Sequence, residues 1–125
     1  KDVGIVCVDS GYQIGVGGAA GMDLKETQRL ADVATEEEAM EMTVAFIQLY
    51  REHAKYLDRP YKWLAKVGLD WVRERIVDNA EERRALVERF ELSQTIYRKD
   101  PWAEHAKEKA KDYQPLADLT LEAAE

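Results

Sequence analysis

Residues 35–60 read TEEEAMEMTVAFIQLYREHAKYLDRP, and this stretch decides the fold class. Ala39, Thr43, Phe46, Tyr50, Ala54 and Leu57 recur at three- and four-residue spacing, which aligns side chains on one face of an α-helix. Thr35 and Glu38 stand at capping-box spacing, so each side chain can satisfy a backbone N–H that the first turn leaves free. Pro60 forbids continuation, because it has no N–H and its ring collides with the preceding turn. Met42, Ile47, Leu49 and Tyr56 lie off the stripe, which predicts a core helix covered on more than one side. The run Glu36-Glu37-Glu38 falls in the first turn, where carboxylates favour the helix dipole, and reads as capping rather than as a carboxylate site.

Upstream, the pattern changes in kind. Val3–Val8 (VGIVCV) is an apolar, largely β-branched run, Asp9-Ser10-Gly11 signals a turn, and Tyr12–Val16 (YQIGV) alternates before Gly17-Gly18. That predicts a β-hairpin. An isolated hairpin is marginal in water, and neither strand has an evident partner downstream, which points to a sheet whose other strands lie elsewhere. Leu24–Val33 reads as a turn followed by a short helix.

Downstream, the aromatic segment Tyr61-Lys62-Trp63-Leu64 leads to Gly68, and Leu69, Val72, Ile76 and Val77 predict a short helix. Asp78 and Glu81 repeat the capping-box spacing before a stripe of Leu86, Phe90, Ser93 and Tyr97. Asp100-Pro101 suits an N-cap and first helical position, followed by Trp102, Ala106, Ala110 and Tyr113. The predicted class is α+β, mostly α, with an N-terminal β-hairpin followed by four to five helices. Residues 1–34 hold the hairpin and its glycine-rich end, 35–113 a helical extension, and 114–125 an acidic tail whose composition suits disorder unless it docks.

Composition narrows the function. With 125 residues, 46% hydrophobic and 34% charged, the chain has enough apolar surface for one core. A net charge of −7 disfavours nucleic acid, whose phosphates need clustered cations. Arg73, Arg75, Arg83 and Arg84 alternate with Glu74, Glu81 and Glu82, the pattern of a solvated helix face. No apolar run approaches the roughly 20 residues that span a bilayer, and no secretory signal opens the chain, so a cytoplasmic protein without a membrane partner is expected. The lone Cys7 excludes an internal disulfide and any thiolate-only cluster within one chain.

The stretch from Gly15 to Gly21 is the one that looks chemical. Gly15, Gly17 and Ala20 match the offsets of a dinucleotide fingerprint, but no second buried strand follows to make the parallel βαβ unit it requires. The glycines instead permit close approach of a flat or anionic group, or a tight bend, and on the residues alone the bend is favoured. His53 and His105 lack a Glu three residues before them, where Tyr50 and Trp102 stand, so no metal site is assigned. Cys7 reads as a buried, inert thiol, and Trp63, Trp71 and Trp102 as core or interface anchors. No catalytic residue is assigned.

The chain resembles the C-terminal end of the large subunit of assimilatory, NAD(P)H-dependent nitrite reductases, within the sulfite and nitrite reductase group. The resemblance rests on Asp2-Val3-Gly4-Ile5, the segment Val16–Gly21, Glu36–Ala39, Ala45–Arg51, Tyr56–Arg59, Trp63-Leu64, Val67–Asp70, Arg75–Asp78 and Asp100–Ala103, and fades after Glu104. It implies a parent oxidoreductase of nitrate assimilation that reduces nitrite to ammonium at a sirohaem coupled to a 4Fe-4S cluster, with electrons from NAD(P)H through FAD. It places Gly17, Gly18 and Gly21 beside the sirohaem, which reverses the preference for a plain bend. The cluster needs four cysteine ligands, so the resemblance also implies that this segment lies downstream of them, binds no cofactor alone and is inactive alone. Its expected partners are the remainder of the large subunit and a small nitrite reductase subunit. Many relatives carry Asn-Gly where this chain has Ala19-Ala20, and a basic pair where only Lys25 remains. The rival reading is a stand-alone helical interaction module anchored by its tryptophans.

Overall fold

The structure is a computed structural model that describes residues 1–96 and 101–108. The chain separates into two units, Lys1–Ser93 and Gln94–Glu125.

In the first unit, β1 (Val3–Val8) and β2 (Gly11–Val16) form the expected antiparallel hairpin, with Val3 opposite Val16, Ile5 opposite Ile14 and Cys7 opposite Tyr12. The segment expected to be a turn and helix is instead extended. A small hairpin of β3 (Ala19–Ala20) and β4 (Leu24–Lys25) returns the chain to β5 (Gln28–Val33), which pairs antiparallel with β2. The sheet order is therefore β1-β2-β5, and the hairpin finds its third strand within the chain. Only Leu30 of β5 is fully buried, and a register shift between Ile14 and Gly15 breaks the pairing, so the strand shows no clean period of two.

Helix α1 (Glu36–His53) begins as read: Glu38 N–H donates to Thr35 Oγ1 at 3.2 Å, and Thr35 N–H donates to a Glu38 carboxylate oxygen at 3.2 Å. It buries Ala39, Met42, Ala45, Phe46, Gln48 and Leu49. It ends short of Leu57, which stands at φ +66 in the connecting loop and is 81% exposed, so Leu57 does not join the apolar stripe. Pro60 begins the next helix, α2 (Pro60–Val67), at a position where its missing N–H costs nothing. Gly68, at φ +85, turns the chain into α3 (Leu69–Ile76).

The cap of α4 (Ala80–Ile96) is one residue later than the Asp78–Glu81 spacing suggested, with Asn79 Oδ1 accepting from Glu82 N–H at 3.0 Å. Of the arginines read as a solvated face, Arg84 is exposed and Arg75 pairs with Glu82 at 3.7 Å, but Arg73 and Arg83 turn inward to backbone carbonyls. Arg83 donates to the Ile76 carbonyl at 2.7 Å and to Glu41 at 2.8 Å, joining α3, α4 and α1. Arg73 donates to the Arg29 carbonyl at 2.5 Å and the Leu30 carbonyl at 3.3 Å, and Arg75 lies 3.8 Å from the Trp71 ring centroid. Carbonyls at the end of α3 and along β5 thus accept from these guanidiniums alongside the carboxylates of Glu41 and Asp70.

Ile14, Val16 and Leu30 share one core with α1 through α4. Trp63 sits within it, edge-on to Phe46 at 5.9 Å, Tyr50 at 5.6 Å and Trp71 at 6.3 Å between ring centroids. Leu86 completes the set at 1% exposure. The strands of 1–34 and the helices up to Ser93 thus fold around common residues. The core reaches β1 only at Val3: Ile5 is 42% exposed, and Cys7, expected to be buried, is exposed because it lies on the outer strand.

In the second unit, α5 (Pro101–Glu108) starts at Pro101 as expected. Tyr97, Asp100, Ala110, Tyr113 and the tail 114–125 lie outside the described residues, as do the side chains of Trp102 and Ala106. No helix among the described residues is long and apolar enough to cross a membrane.

Candidate functional site

The glycine-rich segment opens onto a cavity of about 640 Å³ lined by Gly18–Asp23, Lys1, Asp2, Arg59, Tyr61 and Lys62. Three elements build it. The start of β1 supplies one side, the β3–β4 hairpin another, and the first turn of α2 the third. Tyr61 donates its hydroxyl to an Asp23 carboxylate oxygen at 2.9 Å, which pins the hairpin to α2. Arg59 donates to Asp2 at 2.8 Å, fixing the guanidinium at the rim. Lys1 and Lys62 add two further cations, with the Lys62 ammonium 5.7 Å from the Tyr61 ring centroid.

The three glycines named from the sequence have different surroundings. Gly17 holds φ +73, its N–H donates to the Asp2 carbonyl at 2.8 Å, and a Cβ there would lie 2.5 Å from Leu64 Cδ2. It serves the packing of α2 on the sheet and does not line the cavity. Gly18 lines the cavity, but a Cβ there would also meet the Lys1 carbonyl and Thr27 at 2.7 Å. Gly21 lines the cavity too, and a Cβ there would meet nothing within 4 Å. Nothing among the described residues calls for glycine at 21.

The fingerprint offsets at Gly15, Gly17 and Ala20 belong to an antiparallel arrangement, with no parallel βαβ unit among the described residues. His53 packs edge-on to Trp71 at 5.2 Å between centroids. No cluster of three His, Cys, Asp or Glu side chains among the described residues could hold a metal ion. One thiol does not fit a four-thiolate cluster, whereas Gly18 and Gly21 leave room for a flat group and Lys1, Arg59 and Lys62 outnumber Asp2 and Asp23 around it, a lining that fits an anionic macrocycle. Arg59, Tyr61 and Lys62 were not identified from the sequence as site residues. They reach the cavity from about forty positions downstream of the glycines, and nothing local marks them.

Comparison with known proteins identifies the family. Residues 1–84 match the nitrite and sulphite reductase 4Fe-4S domain, and the chain belongs to that family. The match runs from β1 through α3 into the start of α4. Among individual proteins, the chain is 38% identical over 109 residues to a nitrite reductase [NAD(P)H] of Bacillus subtilis, covering 87% of this chain and 13% of that protein. It is 30% identical over 74 residues to an assimilatory nitrate reductase electron transfer subunit of the same organism, covering 59% of this chain and 10% of that one. The chain therefore spans only a small part of the curated relatives it matches. No solved structure matches it.

Proposed function

We propose that this chain forms one wall of the sirohaem pocket of a cytoplasmic, assimilatory NAD(P)H-dependent nitrite reductase, and that it performs no turnover by itself. The observation that carries this reading is the cavity whose wall includes Gly18 and Gly21 and whose rim bears Lys1, Arg59 and Lys62. Sirohaem, when bound, supplies the iron at which nitrite is reduced. The chain's own residues do three things for it. Gly18 and Gly21 carry no side chain that would hold a macrocycle off the wall. The cations offer charge-assisted donors to its carboxylates. Asp2 holds Arg59 in place, and Asp23 with Tyr61 holds the hairpin.

The iron-sulfur ligands and the FAD site belong, in this reading, to the remainder of the large subunit, with a small subunit as a further partner. Two preparations test it: the 125-residue chain and the full polypeptide that contains it. The chain alone should show no haem or cluster bands in its visible spectrum and hold no stoichiometric iron. The full polypeptide should carry sirohaem and oxidise reduced viologen in a nitrite-dependent manner. Tightly held iron in the first, or neither property in the second, overturns the proposal.

A further inference from the structure

The two edges of the sheet differ. Strand β5 bears Gln28, Arg29 and Asp32, and Arg73 covers its outer side by donating to the Arg29 and Leu30 carbonyls. Charged side chains and a covered edge are how proteins prevent a sheet from recruiting another strand. Strand β1 has neither. Its six residues, VGIVCV, include no charge, no proline and no polar amide.

Exposure follows the same division. On the face where β2 buries Ile14 and Val16 completely, the opposite residue Ile5 is 42% exposed, and Cys7 is exposed. On the reverse face Val6 is 58% exposed, and a Cβ at Gly4 would meet nothing within 4 Å. An apolar strand without alternation is the composition of a strand enclosed on both faces, yet among the described residues no strand pairs with its outer edge. A helix laid over Ile5 would leave the backbone groups along the outer side of β1 unsatisfied. Only an extended segment both pairs with them and extends the apolar face.

We infer that β1 is an interior strand of the complete protein, paired along its outer edge with a six-residue or longer apolar extended segment of the same polypeptide outside residues 1–125. The relatives supply the room for such a segment, since this chain spans 13% and 10% of their lengths. The inference needs a longer polypeptide but no nitrite chemistry.

The test compares the 125-residue chain with the full polypeptide by peptide-resolved hydrogen exchange over residues 3–8 and by mass-spectrometric mapping of iodoacetamide labelling at Cys7. In the full polypeptide the β1 amides should exchange at least about tenfold more slowly, as pairing moves them from a frayed edge to a cooperative interior. Cys7 labelling should fall by a similar factor. The conservative variant Cys7→Ser should retain the amide protection, which separates pairing from any role of the thiol. Equal exchange and labelling in the two proteins overturns the inference. So does protection that rises with protein concentration, because a second copy would then occupy the edge. A full polypeptide that protects β1 but lacks sirohaem would refute the proposed function and leave this inference standing.

Discussion

Replacing Gly17 and Gly21 separately by alanine tests whether the two glycines serve different ends. At position 17 alanine is forced to φ +73, and its Cβ would lie 2.5 Å from Leu64 Cδ2. The left-handed backbone costs an L-residue about 1–2 kcal/mol. Overlap with a fully buried leucine adds about 1–3 kcal/mol. The expected destabilisation is therefore about 3.5 kcal/mol, the midpoint of the summed range, and for a unit of this size it lowers Tm by about 20 °C. At position 21 neither cost applies, and the change should stay within about 0.5 kcal/mol. Urea unfolding followed by tryptophan fluorescence measures both. A third variant isolates the steric part: in a Leu64→Ala background Cδ2 is gone, so Gly17→Ala should cost only its conformational share, about 1–2 kcal/mol. If Gly17→Ala is as stable as the parent, or if Leu64→Ala leaves its cost unchanged, the packing role given to Gly17 is wrong. In the full polypeptide, Gly21→Ala should reduce sirohaem retention while leaving the unfolding midpoint in place.

Other expectations concern the polar ties. Arg89 donates to both Glu52 oxygens, at 2.7 and 2.9 Å, and its hydrogen bond holds the Glu52 carboxyl below its ordinary value of 4.5. A lowered carboxyl contributes stability at pH above its unfolded value and loses it as the pH falls through the folded one. Arg89→Gln should therefore cost about 0.5–1 kcal/mol at pH 7, the figure for a partly exposed pair, and the variants should converge in acid below 4.5; a gap that persists there refutes the assignment. Arg73→Ala should uncover the β5 edge, costing about 1–2 kcal/mol for the lost bonds and increasing self-association in light scattering. Thr35→Ala should cost about 1 kcal/mol by chemical denaturation through loss of the α1 cap.

The sequence was most readable where local chemistry decided the outcome. Thr35 and Glu38 set the start of α1 through groups three residues apart, and VGIVCV-DSG-YQIGV specified its own hairpin. It was least readable where distant partners decided. Strand β5 carries Arg29 and Asp32 on a half-exposed edge and meets β2 across a bulge, so neither composition nor period marked it as a strand. Arg73 and Arg83 alternate with glutamates in sequence, but the fold brought the Arg29 and Ile76 carbonyls within their reach. For the candidate site, the glycines announced a close approach. The cations did not, because Arg59 and Lys62 follow a loop whose path is set by the left-handed Leu57 and by the Tyr50 hydroxyl donating to the Asp58 carbonyl. No pattern in residues 54–62 encodes that path.

The position of Leu86 bears on how this domain is divided from its neighbours. The family match closes at residue 84, but Leu86 is 1% exposed and packs with Ile14, Phe46 and Trp63 in the common core. A polypeptide cut at the end of the family match would lose that plug and open a leucine-sized void in the core, an expense of about 2–5 kcal/mol. Excision that respects the interior must run through Ser93, where the first unit closes. The family match and the first compact unit therefore end at different residues in this molecule.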